Sequence, residues 1–300
     1  MSRMTRHLVQ TWRRVADFCL RGMRRRGTTG LAHTAWRLTP NSWRLGVTSC
    51  LLAATTLACG GRDLVIQTGG LEADRLLFER GTLALEEEDW QRAREYFVEI
   101  RDNYPQSQYR AEARLSIGDS YEGEGTLEAY VQALAEYEDF LSLYPTNPRA
   151  AYARYKVGMV HFHQMRRPER DQTETMNAIG EFKTFITSYP PNHELTAQVQ
   201  QRLREALDRL SEHDFIVGHF YYRFENYPGA ISRFRQILNN DPAYTRRDEV
   251  YFYLAESLVR TNEVTEAIPY FARILDEFEV SEYAGDTRAR IAELEAAQER

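Results

Sequence analysis

Beyond residue 59 the chain contains no cysteine; Cys19, Cys50 and Cys59 are its three. A folded body without thiols holds no disulfide, no thiolate metal site and no cysteine nucleophile. Lysine is almost missing too, occurring only at Lys156 and Lys183. Positive charge is thin where a polyanion would need it. Residues 1–59 carry ten Arg and one acid, Asp17, which leaves 28 basic groups against 43 acidic ones in the rest. Phosphate-backbone binding requires clustered Lys and Arg, so this acidic body excludes nucleic acid as a ligand. There is no Gly-rich phosphate loop, no Gly-x-Ser-x-Gly and no His-Glu-x-x-His. His161 and His163, two apart on a helix, diverge by about 200° and cannot share one ion. Zinc needs three or four ligands, and no third is in sight. His213-Asp214 is followed by His219 and not by a positioned Ser. The expectation is a chain without catalysis, cofactor or metal.

What is present begins with an apolar run at residues 45–58, preceded by Arg44 and ending at Thr56-Leu57-Ala58-Cys59-Gly60-Gly61. Fourteen residues are too few to span a bilayer comfortably but suit the apolar core of a secretory signal. The ending resembles the bacterial lipoprotein box, with Thr56 where Leu is usual. Cys50 also fits the letters, but the apolar run continues past it. Cys59 is therefore the expected lipidation site, behind a signal peptide with an extended basic leader over 1–58. More than one acyl chain there gives stable anchoring, at about 0.8 kcal/mol per buried methylene. Gly60 in place of Asp favours the outer membrane, on its periplasmic side. Residues 59–70 carry four Gly and read as a lipid-anchored flexible tether.

From residue 71 onward one pattern recurs. Ala-x3-(Phe/Tyr) appears at Ala93/Phe97, Ala133/Tyr137, Ala178/Phe182, Ala230/Phe234 and Ala267/Phe271. In the first four copies a Pro stands eight residues after the aromatic: Pro105, Pro145, Pro190 and Pro242. Proline disfavours helix in the residue before it, so helices end at those points. A small residue precedes each pair, as in Val217-Gly218-x2-Tyr221, and lets two helices approach. Phe234 is expected to fill the space between adjacent units. Together these are the marks of the tetratricopeptide (TPR) repeat. The fold class is all-α: a superhelical solenoid of about five helical hairpins plus a closing helix over 282–298. Units one to three occupy 71–193; units four and five with the capping helix occupy 194–300. The second copy has a three-residue insertion near Gly123 and Gly125, and the third has eight extra residues within 164–173, expected to form an extended loop. Leu195, Val199, Leu203, Leu207 and Leu210 form one helical stripe, an additional helix running into the fourth unit.

In such repeats the first helix of each hairpin lines the inner curve. Here that stripe is aromatic: Phe78 and Leu85, then Tyr152, Tyr155, Met159 and Phe162, then Phe215, His219 and Tyr222, then Phe252 and Val259. It is either a groove for an apolar or aromatic-ended peptide or the buried packing of an over-wound superhelix. Both readings stand at this point.

Three stretches carry a family resemblance. Leu143-Tyr-Pro-Thr-Asn-Pro148 runs on to Tyr152-Ala-x-Tyr155-x2-Gly158. Arg170-Asp171 precedes the hairpin Ala178-x6-Phe185-x3-Tyr189-Pro190. Leu203-x3-Leu-x2-Leu-x-Glu-His-Asp leads to Val217-Gly-x-Phe-Tyr-Tyr-Arg223. With the lipoprotein box they resemble the ComL/YfiO family, TPR lipoproteins of the outer-membrane β-barrel assembly machinery. The resemblance covers roughly residues 70–295. It implies a non-catalytic scaffold with two partners, unfolded outer-membrane proteins and the POTRA-containing barrel assembly protein. Phe78, Leu85, Tyr152, Tyr155 and Phe162 would take aromatic-ended substrate termini. Phe215, His219, Tyr222, Arg223 and Phe252 would dock the barrel partner. The Arg-rich leader, Thr56 and the acidic body depart from the family. A competing class is another TPR envelope lipoprotein, coordinating peptidoglycan or envelope assembly; a cytosolic adaptor is a third.

Overall fold

The computed structural model describes residues 72–298. The leader, Cys59 and the tether expected over 59–70 lie outside the described residues. Those described form eleven α-helices and no strand. The helices are α1 (Ala73–Glu86), α2 (Trp90–Asn103), α3 (Arg110–Glu124), α4 (Leu127–Leu143), α5 (Ala150–His163) and α6 (Thr173–Ser188). After them come α7 (Thr196–Arg223), α8 (Tyr227–Asn240), α9 (Arg247–Arg260), α10 (Val264–Glu277) and α11 (Ala284–Gln298). Odd and even helices pair as five hairpins, each packing on the next. No described helix is long and apolar enough to cross a membrane.

Each hairpin is built around one ring. Phe97, Tyr137, Phe182, Phe234 and Phe271 are fully buried, as are the Ala residues four positions before them. In four units the ring presses on a glycine of its own first helix. A Cβ built on Gly81, Gly118, Gly158 or Gly218 would lie 2.5–2.7 Å from the ring. Real Cβ atoms do not approach that closely, so glycine there is a steric requirement of close packing. The fifth unit uses Ala255 at this position. Phe234 sits on Gly218 of its own hairpin and also stacks on Tyr253 of the next unit at 6.4 Å, so it packs both within its hairpin and between units.

The second helices end where the sequence places them. Tyr104, Tyr144, Tyr189 and Asp241 are the C-caps of α2, α4, α6 and α8, each followed by its Pro. The turn inside each hairpin has its own rule. Seven residues after the small residue, Glu88, Gly125, Glu225 and Asn262 adopt positive φ (59°, 71°, 60° and 66°). This left-handed residue closes the first helix and suits glycine or Asn better than Glu.

The insertions are absorbed without loss of register. In unit two, Thr126 caps α4 by accepting from the Ala129 amide, and the three extra residues lengthen α4 at its start. In unit three the segment 164–172 is compact rather than extended. Gln172 donates to the carbonyls of Arg167 and Arg170, while Arg209 and His213 of α7 reach the carbonyls of Arg166 and Pro168. The stripe beginning at Leu195 belongs to a single 28-residue helix, α7, which runs unbroken into the fourth unit. Arg204 and Ser211 on it bind Asp241, fixing the end of α8.

Candidate protein-binding faces

The first helices carry the candidate residues, and the structure divides the N-terminal five among three packing clusters: Phe78 and Leu85 in one, Tyr152 in a second, Tyr155 and Phe162 in a third. In the N-terminal hairpins Phe78 is half-buried, stacked on Tyr109 at 5.0 Å and edge-on to Phe97 at 5.7 Å. Leu85 is half-buried beside the same core. Tyr155 is 7 % exposed, and Met159 is equally enclosed. Phe162 is half-buried, with the Arg202 guanidinium 5.2 Å from its ring centre. Tyr152 lies between Arg149, 4.3 Å from its ring, and Lys156, 5.6 Å away.

The Tyr152 hydroxyl leads into a polar network that sequence reasoning missed. It donates to Asp119 at 2.9 Å, and the Tyr137 hydroxyl shares its one proton between Asp119 at 2.6 Å and Glu122 at 2.8 Å. Lys156 closes the ring, 2.6 Å from Glu122 and 3.5 Å from Asp119, and His163 adds a contact to Glu122 at 3.4 Å. Burial pushes the Glu122 carboxyl up, but His163, Lys156 and Tyr137 outweigh it and hold the group below its ordinary value. Burial works against the Lys156 ammonium, and the two carboxylates more than offset it. Desolvation first, then the two anions, drive the Tyr137 and Tyr152 hydroxyls well up, so both remain donors. The available signal was rarity: Lys156 is one of only two lysines in the chain.

In the C-terminal cluster Phe215 is 8 % exposed, while His219, Tyr222 and Phe252 are half-buried and Arg223 is exposed. Tyr253 ties them together, 5.8 Å from Phe215, 4.6 Å from His219 and 5.1 Å from Tyr222. Phe252 stacks on Tyr283 at 4.9 Å. Burial, reinforced by Arg223, lowers the His219 pKa and keeps the ring neutral. Sequence reasoning also missed a neighbouring exposed pair. Phe220 and Phe224, 56 % and 70 % exposed, lie 4.5 Å apart at the end of α7. Their signal was the run Phe220-Tyr-Tyr-Arg-Phe224, which supplies more aromatics than one helical face can bury.

Nothing in either cluster pairs a nucleophile with a base. The carboxylates are held by cations, and the histidines face Glu174, Glu122, Pro168 or aromatic rings. The chemistry offered is stacking, apolar contact and hydrogen bonding.

The family model described as "Outer membrane lipoprotein" (YfiO) matches residues 72–263, well over half of the sequence. The chain belongs to the YfiO family. A tetratricopeptide-repeat model matches 249–279, the fifth hairpin. Among curated relatives, the outer membrane protein assembly factor BamD of Caulobacter vibrioides is 27% identical over 216 residues, covering 70% of this chain and 68% of that one. BamD of Rickettsia prowazekii is 25% identical over 202 residues, covering 65% and 76%. BamD of Vibrio cholerae is 27% identical over 176 residues, covering 55% and 71%. Family membership brings with it association with the outer membrane and the lipoprotein class.

Proposed function

We propose that this chain is a non-catalytic scaffold for assembling β-barrel proteins in the outer membrane, held on the periplasmic side by lipid on Cys59. The observation that carries the reading is the family match over 72–263 together with relatives described as assembly factors. The N-terminal hairpins receive unfolded outer-membrane proteins. Phe78, Leu85, Tyr152 and Phe162 keep part of their surface open, as an aromatic-ended terminus requires; Tyr155 supports them from the core. The C-terminal hairpins dock the POTRA-containing barrel assembly protein through His219, Tyr222, Arg223 and Phe252, with Phe215 beneath them. Phe220 and Phe224 extend that surface, since exposed aromatics beside an Arg are the usual anchors of an interface.

The test is co-purification with the detergent-solubilised barrel partner. The intact chain brings the partner down. Phe220→Ser with Phe224→Ser weakens capture at least about tenfold, as loss of an interface anchor does, while the melting temperature stays unchanged. Cys59→Ser abolishes palmitate labelling. Barrel proteins that still insert normally after depletion of the chain, with no partner recovered, would overturn the assembly role.

A further inference from the structure

The loop inside the third hairpin, 164–172, is a fixed basic platform: its carbonyls turn inward and its arginines outward. Gln172, 5 % exposed, donates to the Arg167 and Arg170 carbonyls, both at 2.9 Å, and accepts from the fully buried Thr175 hydroxyl at 2.8 Å. From α7, Arg209 donates to the Arg166 carbonyl at 2.9 Å and His213 to the Pro168 carbonyl at 2.6 Å. A carbonyl only accepts, so the His213 Nδ1 carries the proton. The side chains of Arg166, Arg167 and Arg170 are exposed. Most arginines of the described residues are answered by acids, as Arg101 and Arg114 are by Glu136 and Arg204 by Asp241. Among the described residues, Arg166, Arg167, Arg170 and Arg209 pair with no carboxylate. Two acids share the loop. Asp171 spends its oxygens on the Thr173 amide and hydroxyl, at 3.3 and 3.0 Å, and Glu169 is exposed. The platform is therefore positive, on a body in which acids outnumber bases.

Helix α7 carries the platform on to the exposed phenylalanine pair. Arg209, His213, Ile216, Phe220 and Phe224 are spaced by four, three, four and four residues, so they share one face of an unbroken helix. Ile216 is half-buried between the two ends. At 1.5 Å per residue, the strip from Arg209 to Phe224 is about 22 Å long. One end offers guanidinium groups, and the other offers two rings that are 56 % and 70 % exposed.

We propose that this strip receives a segment of another protein that is acidic where it lies on 164–172 and apolar or aromatic where it lies on Phe220 and Phe224. The inference rests on the phenylalanine pair being part of a protein interface, and it adds the charge and the direction of what docks. Charge complementarity selects the acid: an acidic segment is repelled by most of this body and attracted here. Arginine suits carboxylates, because its planar fork donates two parallel hydrogen bonds to one of them. A backbone held at the carbonyls of Arg166, Arg167, Pro168 and Arg170 fixes where those forks stand. Placed carboxylates use that fixity; a diffuse anionic lipid surface does not, and it would also meet the acidic remainder of the body. The unlike ends of the strip set a single direction of docking.

The probe is the detergent-solubilised barrel partner, its association with the full chain followed by biolayer interferometry from about 50 to about 500 mM salt, a range over which exposed charges become screened. Binding to the intact chain weakens at least about fivefold across that range. Arg166→Glu with Arg167→Glu and Arg170→Glu weakens it at least about tenfold at low salt and removes or inverts the salt dependence, since like charges then face one another. The melting temperature of this triple variant stays at the parent value, because the loop hangs on its carbonyls and not on these side chains. Phe220→Ser with Phe224→Ser is the companion variant. Binding that the phenylalanine variant loses but the triple variant keeps at every salt leaves the aromatic interface standing and overturns the acidic segment. Binding that neither variant alters, or no binding by the intact chain, overturns both. Flotation of the Cys59→Ser chain with phosphatidylglycerol vesicles, absent with phosphatidylcholine and lost in the triple variant, overturns the proposal in favour of a lipid surface.

Discussion

The seam between units two and three and the seam between units four and five are built from the same positions with opposite chemistry. Counted from the small residue of each first helix, Asp119 corresponds to His219, Glu122 to Tyr222 and Lys156 to Tyr253. In the first seam those positions form a buried ionic cluster; in the second they form an aromatic one. The backbone stacking needs only three side chains that fill the seam and satisfy one another. What differs is response to the surroundings. Two carboxylates behind one ammonium depend on that ammonium, because an uncompensated buried charge is costly. Rings stacked on a neutral histidine carry no such dependence.

Lys156→Met should therefore cause the largest loss. It leaves Asp119 and Glu122 facing one another without the ammonium, at a cost of about 3–5 kcal/mol. Adding Glu122→Gln should return part of it. Tyr253→Met, the same position in the other seam, should cost only about 1 kcal/mol, the worth of an aromatic contact beyond its area. Chemical denaturation of the three variants decides the matter; equal losses for the two Met substitutions would dissolve the contrast.

A second difference concerns the hairpins behind the seams. Unit three has Gly158 under Phe182, whereas unit five has Ala255 under Phe271. Gly158→Ala puts a methyl 2.5 Å from the Phe182 ring and should destabilise by about 2 kcal/mol, as overpacking does. This outweighs the gain of up to about 1 kcal/mol that the same exchange brings to an unobstructed helix. Ala255→Gly relieves nothing and should lose about that smaller amount. Thermal unfolding in which Gly158→Ala melts higher than the parent would refute the steric reading of this glycine.

How much of this was legible beforehand follows from the range of each signal. The ring and the alanine of each hairpin, with the proline of the first four, lie within twelve residues of one another, so five hairpins and the ends of four could be read directly. The continuity of α7 was readable from its leucine stripe for the same reason. The ionic seam was not, because Asp119 and Lys156 are 37 residues apart and neither is unusual locally. For the candidate faces, periodicity located the first-helix stripe but could not say which members lie under their neighbours. Tyr155 and Phe215 lie beneath the surface, while Phe162 and Tyr222 stay partly open, and only the stacking of successive hairpins sorts them. Phe220 and Phe224 escaped notice because they fall outside the inward positions of the repeat.

A last expected effect separates the seams by pH. Glu249 lies in α9 at the position that Tyr152 holds in α5, and it is almost wholly buried. Burial pushes its carboxyl up to about 7, although Arg246 stands 2.7 Å away. That arginine is half exposed, and Glu212 and Asp248 add like charge, so the ion pair does not overcome desolvation. Glu122 is the reverse case, with better-buried cations holding it ionised. The signs then oppose. A raised carboxyl favours the fold while protonated, so the Glu249 contribution is complete below the ordinary value of 4.5 and is lost as pH rises towards 7. The lowered Glu122 contributes above 4.5 and loses its effect in acid. Glu249→Gln should leave stability at pH 4 unchanged and raise it at pH 8 by about 1–2 kcal/mol, after allowance for the exposed arginine. Urea denaturation of both proteins across that range measures the difference. A Gln variant less stable than the parent at pH 8, with the deficit closing towards acid, would mean that Arg246 keeps Glu249 ionised, making the two seams alike in electrostatics despite their different residues.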